Sequence, residues 1–269
     1  MCSLAEWTED AMDLGVEQFG LGGRTALVTG AGRGVGAGIA RVLAAAGATV
    51  AVNDLYADRA ESVAETITEA GGQAVACPFD VTNVDATADA LARTTEQVGD
   101  IDILVHNAGV PDGGGRPNKF VDMPPADWQL QIDLNLAATM RIVQAVLPRQ
   151  IENGWGRIVQ ISSGASSRGL PIGVGAYGAA KAGSEALIRH LGVECGPHGV
   201  TANALALGLM EGLGRADDPA VQKMIRGIPI GRLGTGADVG AAILWLCSEA
   251  GGLVNAQVIH LNGGTVFGR

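Results

Sequence analysis

Short apolar runs alternate along this chain with longer stretches that place apolar residues at helical spacing. The alternation starts after Gly22-Gly23, and the runs are predominantly apolar. Strands of that kind are buried on both faces, so helices should cover both sides of a parallel sheet. The predicted strands are 25–29, 49–53, 74–79, 103–106, 157–161, 201–206 and 257–261, and the predicted helices lie near 36–46, 59–70, 84–98, 125–150, 176–195 and 236–248. Right-handed crossovers then give an α/β fold, a single-domain doubly wound (Rossmann) arrangement with a seven-stranded parallel sheet and helices on both faces.

Composition and charge narrow the kinds of protein to which this fold can belong. Hydrophobic residues make up 47% of the 269 residues and charged residues 17%, which is enough apolar material for a large core. The formal net charge of −10 argues against nucleic acid as a partner, because phosphate backbones are bound by basic surfaces. The four cysteines are widely separated, so we expect reduced thiols and no metal site.

The first 22 residues differ from the rest, since no Lys or Arg occurs before Arg24. Ser3-Leu4-Ala5-Glu6 has the pattern of a capping box that would begin a short acidic helix. We therefore expect an acidic N-terminal extension, residues 1–22, and one domain, residues 23–269. The acidic start does not resemble a signal peptide, and no apolar run reaches the roughly 18 residues of a membrane span, so a soluble cytoplasmic protein is expected.

A glycine-rich turn follows the first predicted strand. Residues 29–36 read Thr-Gly-Ala-Gly-Arg-Gly-Val-Gly and precede an alanine-rich helix. Glycine permits positive φ angles and lets the backbone approach a pyrophosphate at the helix N-terminus. The general G-x-G-x-x-G/A pattern fits here as Gly32, Gly34 and Ala37, so the turn predicts a dinucleotide cofactor.

The end of the second predicted strand bears on which dinucleotide binds. Asp54 lies 18 residues after Gly36, where its carboxylate can accept hydrogen bonds from both adenosine ribose hydroxyls. At about 4 Å the same charge would repel the 2′-phosphate of NADP by roughly 4 kcal/mol. Arg33 argues the other way, because a cation in this turn could hold that phosphate. We favour NAD(H) and leave NADP(H) open.

Tyr177 and Lys181 form the candidate chemical centre. A spacing of four places both side chains on one face of a predicted helix. A tyrosine with an ordinary pKa of about 10 is a poor proton carrier at neutral pH, and a neighbouring ammonium should lower that pKa. Tyr177 could then exchange a proton with a substrate oxygen. The spacing also occurs in ordinary amphipathic helices, so other motifs have to decide between catalysis and packing.

Further motifs resemble, in order, those of the classical short-chain dehydrogenase/reductase family from about Gly23 to Gly264. Besides the glycine turn they are Asp80-Val81, His106-Asn107-Ala108-Gly109, Asn135, Ser162-Ser163, Tyr177, Lys181, the IPIGRLG segment at 228–234 and Asn262-Gly263-Gly264. The resemblance implies an NAD(P)(H)-dependent oxidoreductase that interconverts a secondary alcohol and a ketone by hydride transfer.

The resemblance also implies roles for individual residues. Tyr177 would be the general acid/base, and Lys181 would bind the nicotinamide ribose and lower the pKa of Tyr177. Ser163 would hold the substrate oxygen, and Asn135 would hold a water that links Lys181 to solvent. The implied cofactor-binding residues are Gly30, Arg33, Gly34, Val35, Gly36, Asp54, Asp80, Val81, Asn107, Ala108, Gly109, Tyr177, Lys181, Gly208 and Leu209.

The serine spacing and one buried position depart from the family pattern. Ser163 precedes Tyr177 by 14 residues, one more than is usual, so we expect an extra residue in the 164–175 loop. Ser163 is nevertheless preferred over Ser162 and Ser166 as the catalytic serine. His106 stands where the family usually has Asn, and we interpret it as a structural substitution.

The segment after the sixth predicted strand departs further. Leu207 replaces a Pro, which should loosen the loop. Gly212 stands where the family often has a Thr that contacts the nicotinamide carboxamide, so that hydroxyl contact should be absent. Backbone near Leu209 could still meet the carboxamide.

A substrate lid is expected near residues 209–227, and its apolar side chains suit a moderately apolar alcohol or ketone, although they could also serve plain packing. A 3-oxoacyl-thioester reductase is an alternative, which basic residues at the pocket mouth would favour: Arg116, Lys119, Arg168 and Arg215. A non-catalytic dinucleotide-binding regulator and a methyltransferase belong to other classes and do not explain the Tyr–Lys pair. Small residues on two long helices, together with the resemblance, imply a homotetramer.

Overall fold

Seven parallel strands form one sheet in the computed structural model, which describes residues 15–111, 118–212, 214 and 217–265. The strand order is β3-β2-β1-β4-β5-β6-β7. The strands are β1 (Thr25–Val28), β2 (Thr49–Val52), β3 (Gln73–Ala76), β4 (Ile103–His106), β5 (Gly156–Ser163), β6 (Val200–Leu207) and β7 (Val258–Leu261). The predicted seven-stranded parallel sheet is confirmed. Chain order reverses between β1 and β4, which opens a crevice at the carboxyl ends of those strands.

Helices cover both faces of the sheet, as the uniformly apolar strands require. They are α1 (Gly34–Ala45), α2 (Ala57–Glu69), α3 (Val84–Val98), α4 (Pro125–Ile132), α5 (Ala138–Glu152), α6 (Gly175–Cys195), α7 (Pro219–Ile225) and α8 (Gly236–Cys247). Apolar side chains of α1, α2 and α8 form one core with one face of the sheet, and those of α3, α5 and α6 form the other.

The single helix predicted at 125–150 is interrupted in the structure. A π-helical turn, Asp133–Ala137, lies between α4 and α5, and the N–H of Ala138 donates to the carbonyl of Asp133. The hydroxyl of Thr139 donates to the carbonyl of Asn135 at 3.0 Å. A π turn adds one residue without ending the helix, so the apolar spacing alone could not reveal it.

Two predicted strands are longer in the structure and one helix was missed. β5 and β6 each extend to eight residues because they pair along their whole length, from Gly156–Val200 to Ser163–Leu207. Helix α7 has seven residues, too few for a periodic pattern, and begins after the side-chain cap of Asp218. The helix predicted from Ser3–Glu6 lies outside the described residues.

Over the described part of the chain, no helix combines the length and the apolarity that a membrane crossing requires.

Candidate active site

A cavity of about 880 Å³ opens at the carboxyl ends of the central strands. It is lined by the glycine turn, by Asp54, by Asp80-Val81, by Asn107-Ala108-Gly109 and by the carboxyl ends of β5 and β6. Tyr177 and Lys181 reach it from α6. The structure therefore brings the predicted site residues together, with two exceptions: Asn135 lies beneath the wall, and Met210 lines the cavity where Leu209 was expected.

The glycine turn exposes the start of α1 to this cavity. Gly30 and Gly34 have φ angles of +61° and +53°, which favour glycine. A Cβ at Gly36 would lie 2.2 Å from the carbonyl oxygen of Gly30, so the turn closes only around glycine. The N-cap residue of α1, Arg33, does not cap the first turn with its side chain. The backbone N–H groups at this end of α1 can therefore bind a pyrophosphate, and the glycine turn fits a dinucleotide.

Asp54 lies at the end of β2 with both carboxylate oxygens engaged. The N–H of Gly32 donates to Oδ2 at 3.1 Å, and the N–H of Tyr56 donates to Oδ1 at 3.1 Å. The guanidinium of Arg59 lies 4.0 Å from Oδ1 and stacks on the Tyr56 ring. Tyr56 and Arg59 also line the cavity, as does Arg33. Tyr56 and Arg59 could not be predicted from the sequence as site residues, because neither belongs to a recognisable motif.

His106 and Asn107 fasten the end of β4 to the glycine turn. The amide of Asn107 donates to the carbonyls of Thr29 and Gly30 at 3.0 and 2.9 Å. The Thr29 hydroxyl accepts the N–H groups of Asn107 and Ala108, so its own proton is left for His106 Nδ1, 3.0 Å away. His106 is then the neutral Nε2–H tautomer. Burial, aided by the charge of Lys181, lowers the pKa of His106 to about 3. This geometry supports a structural role for His106.

Lys181 is 1% exposed, and its Nζ donates to the carbonyl of Ile161 at 2.7 Å. Burial lowers the pKa of Lys181 to about 7, although the charge of Glu185 opposes that shift. The amide of Asn135 donates to Gln131 at 3.1 Å, while its Oδ1 has no partner among the described residues. A Cβ built on Gly109 would lie 2.6 Å from Asn135 Oδ1 and 2.7 Å from Lys181 Nζ. Both polar groups therefore meet at Gly109.

A net lowering of the Tyr177 pKa, which the sequence led us to expect, is not seen among the described residues of this chain. Burial raises the pKa of Tyr177, and a hydrogen bond with the Ser163 side chain only partly opposes it. Lys181 Nζ lies 5.8 Å from the centre of the Tyr177 ring. Burial disfavours both charged forms, the phenolate and the ammonium.

Side-chain contacts distinguish the three candidate serines, which are Ser162, Ser163 and Ser166. Ser163 is the one that contacts Tyr177. The hydroxyls of Ser162 and Ser166 instead lie 2.5 and 2.6 Å from Oε1 of Glu185. The preference for Ser163 therefore has geometric support.

Comparison with known proteins places these features in a family. A family model described as enoyl-(acyl carrier protein) reductase matches residues 30–266. The chain is 37% identical to the 7α-hydroxysteroid dehydrogenase of Escherichia coli (strain K12), over 91% of this chain and 95% of that protein. It is 36% identical to a 3-oxoacyl-[acyl-carrier-protein] reductase of Aquifex aeolicus (strain VF5), over 91% of this chain and 98% of that protein.

A solved structure is similar to this chain as well. A 7α-hydroxysteroid dehydrogenase complexed with NADH and 7-oxo glycochenodeoxycholic acid matches with a TM-score of 0.87 and 36% identity, covering 94% of this chain and 98% of that one. The chain belongs to the short-chain dehydrogenase/reductase family. It is an NAD(P)-dependent oxidoreductase that acts on CH–OH groups, which sets aside the non-catalytic and methyltransferase alternatives.

The segment after β6 departs from the family pattern at Leu207 and Gly212. Leu207 remains within β6, paired with Ser163. Met210 pairs with Gly234, and Oε1 of Glu211 accepts the N–H of Gly236 at 3.3 Å. Gly212 has a φ angle of +92°, which a threonine rarely adopts. The family's threonine contact is therefore absent here.

Proposed function

We propose that this chain is an NAD(H)-linked short-chain dehydrogenase/reductase that interconverts a moderately apolar secondary alcohol and its ketone. The observation that carries the proposal is the meeting of Ser163, Tyr177 and Lys181 in the cavity that also contains the glycine turn and Asp54. Proton-transfer groups and a dinucleotide site thus share one chamber.

Tyr177 acts as the general acid/base in this proposal. When bound, the nicotinamide ring supplies or accepts the hydride. The hydroxyls of Tyr177 and Ser163 contact each other, so one substrate oxygen can meet both. Tyr177 gives its proton to the ketone oxygen during reduction and takes it back during oxidation. Ser163 donates to the same oxygen and stabilises the charge that develops there.

Lys181 and Asn135 complete the catalytic set. Lys181 binds the ribose next to the nicotinamide, and its charge favours the Tyr177 phenolate that forms during turnover. Asn135 has a buried Oδ1 without a partner among the described residues, close to Gly109 and Lys181. A water held there would return protons between Lys181 and solvent.

Replacing Tyr177 by Phe tests the chemistry. NADH oxidation would be followed with 7-oxo glycochenodeoxycholic acid, simple cyclic ketones and a 3-oxoacyl thioester. We expect the Phe variant to lose about 10²- to 10⁴-fold in turnover while it still binds NADH. Wild-type turnover by this variant on an active substrate would refute the mechanism.

The NAD(H) preference is supported by Asp54, which is 7% exposed and faces the cavity. Its charge is unfavourable for a 2′-phosphate. Arg33 and Arg59 are the residues that could instead hold that phosphate. Fluorescence titrations with NADH and NADPH decide between them: tighter binding of NADH is expected, and clearly tighter binding of NADPH would reverse the assignment.

The apolar substrate class is supported by apolar side chains that line the cavity. They include Val110, Leu130 and Met210. The 7-oxo steroid bound by the related dehydrogenase is a ketone of this kind. For the thioester alternative, Lys119 is exposed but Arg168 donates to the carbonyl of Thr265 at 3.1 Å, while Arg116 and Arg215 lie outside the described residues. Activity confined to the 3-oxoacyl thioester would favour that alternative.

For the chain as a whole, we propose an acidic extension at 1–22, a single domain at 23–269 with a lid near 209–227, a cytoplasmic location and a homotetramer. Exposed Met140 on α5 and Val193 on α6 support an interface on these helices. Light scattering should give a mass near four times 27.3 kDa, and a monomer would refute the assembly.

A further inference from the structure

Glu185 is a buried carboxylate beside the proposed active site. It lies on α6, one turn beyond Lys181, and is 7% exposed. An ionised carboxylate loses much of its hydration when it is buried, so it requires strong hydrogen bonds or a cation nearby. Its partners therefore indicate what it does.

Two serine hydroxyls on either side of Ser163 contact the same oxygen of Glu185. Ser162 donates to Oε1 at 2.5 Å, and Ser166 lies 2.6 Å from Oε1 and 2.7 Å from the carbonyl of Ser163. Hydrogen bonds to an ionised acceptor are about twice as strong as those between neutral groups. Glu185 thus holds the backbone on both sides of the proposed catalytic serine.

This support matters because β5 extends beyond its neighbour on one side. The last pair between β4 and β5 is His106–Gln160, whereas β5 continues to Ser163. Over these last three residues, 161–163, the strand pairs only with β6. Lys181 binds the carbonyl of Ile161 there, and Glu185 binds the hydroxyl of Ser162. Two side chains of α6, one turn apart, therefore bind the part of β5 that does not pair with β4.

Charge gives Glu185 a second effect on the same site. The titratable groups around Lys181 are Tyr177 and Glu185 on α6 and His106 on β4, while Asn135 on the π turn is uncharged. His106 is neutral, so Glu185 supplies the negative charge. It raises the pKa of Lys181 against the larger effect of burial.

We propose that Glu185 is a positioning residue, which fixes Ser163 through Ser162 and Ser166 and favours the charged form of the Lys181 side chain. The proposal rests on the function proposed above, in which Ser163 and Lys181 act on substrate and cofactor. Glu185 itself contacts neither.

Glu185→Gln isolates the effect of charge, because the amide keeps an acceptor oxygen for the serines. NADH affinity would be measured by fluorescence from pH 4.5 to 9.5. Two charges on adjacent helical turns in a partly screened interior shift each other by roughly one to two pKa units. The pH at which NADH affinity falls should therefore move down by that amount. Exposed Glu194, also on α6, supplies the matched control Glu194→Gln, which should behave like the unmodified protein.

Ser166→Ala isolates the positioning effect, because Ser162 still donates to the Glu185 carboxylate and stabilises its charge. It should lower kcat severalfold on the active ketone without moving the pH dependence of NADH binding. Glu185→Asp, which also keeps the charge, should leave that pH dependence in place. An unshifted Glu185→Gln profile, or an unchanged kcat in the Ser166→Ala variant, would overturn the proposal.

Lys181→Met separates this failure from failure of the underlying function. If Lys181→Met abolishes the pH dependence of NADH affinity but Glu185→Gln matches the unmodified protein, only the Glu185 proposal fails. If Lys181→Met leaves NADH affinity and its pH dependence unchanged, the proposed role of Lys181 fails as well.

Discussion

Replacing Lys181 by Met should stabilise the fold at low pH while it impairs catalysis. The Lys181 side chain is 1% exposed, and Nζ donates to the carbonyl of Ile161. Burial lowers its pKa from 10.5 to about 7. Methionine fills a similar volume without an ammonium that must be dehydrated.

The effect of Lys181 on stability depends on pH because the folded and unfolded chains bind its proton with different pKa values. Between pH 7 and 10.5 the unfolded chain keeps the Lys181 proton and the folded protein has lost it, so the stability of the unmodified protein rises with pH across this window. Each pKa unit corresponds to about 1.4 kcal/mol, so the shift of roughly three and a half units corresponds to roughly 5 kcal/mol. Below pH 7 the full cost of burying the ammonium is present.

The substitution also leaves the Ile161 carbonyl without its donor, which costs about 1 to 2 kcal/mol. Lys181→Met should therefore be more stable than the unmodified protein by roughly 3 kcal/mol at pH 6, and this advantage should vanish by pH 10. Urea unfolding at pH 6, 8 and 10 measures the difference. Exposed Lys223 supplies the control Lys223→Met, with no pH-dependent change. Parallel stability curves for the Lys181→Met variant and the unmodified protein would refute the reasoning.

Three further substitutions test other parts of the site. Gly109→Ala should lower kcat/KM at least about 100-fold, because the added Cβ would displace Asn135 or Lys181 from its catalytic position. The control Gly22→Ala, which has open space around it, should leave kcat/KM unchanged. His106→Asn should reduce the loss of stability on acidification from pH 6.5 to about 3, because in this range the unfolded chain protonates His106 and the folded protein does not. Unfolding at pH 4 and pH 7 measures the loss, and an equal loss in the variant and the unmodified protein would contradict the prediction. Gly212→Thr should lower the Tm without improving NADH affinity, because φ is +92° there.

The sheet could be predicted because its strands are predominantly apolar. The glycine turn could be predicted because Gly30 and Gly34 adopt positive φ angles, which glycine permits. The carboxyl ends of parallel strands meet at one edge, so placing Asp54, Asn107 and Ser163 on strand ends was enough to bring them together.

The features that could not be predicted depend on contacts between segments that are distant in the sequence. The π turn at Asp133–Ala137 has the same apolar spacing as an ordinary helix over a few residues. Glu185 looks like a surface residue of an amphipathic helix until Ser162 and Ser166 are brought against it. The raised pKa of Tyr177 reflects burial, which a spacing of four residues does not report.

Asp54 has a consequence for attempts to exchange one cofactor for the other. Its carboxylate accepts the N–H groups of Gly32 and Tyr56, so it shapes the loops on both sides of the proposed adenosine pocket in addition to bearing the charge that we propose disfavours a 2′-phosphate. A neutral residue that cannot accept hydrogen bonds would remove the repulsion and at the same time release both loops. Engineering for NADP(H) should therefore replace Asp54 by a small hydrogen-bond acceptor, such as Ser or Asn, that preserves the loop geometry, and should retain Arg59 as the cation already beside it.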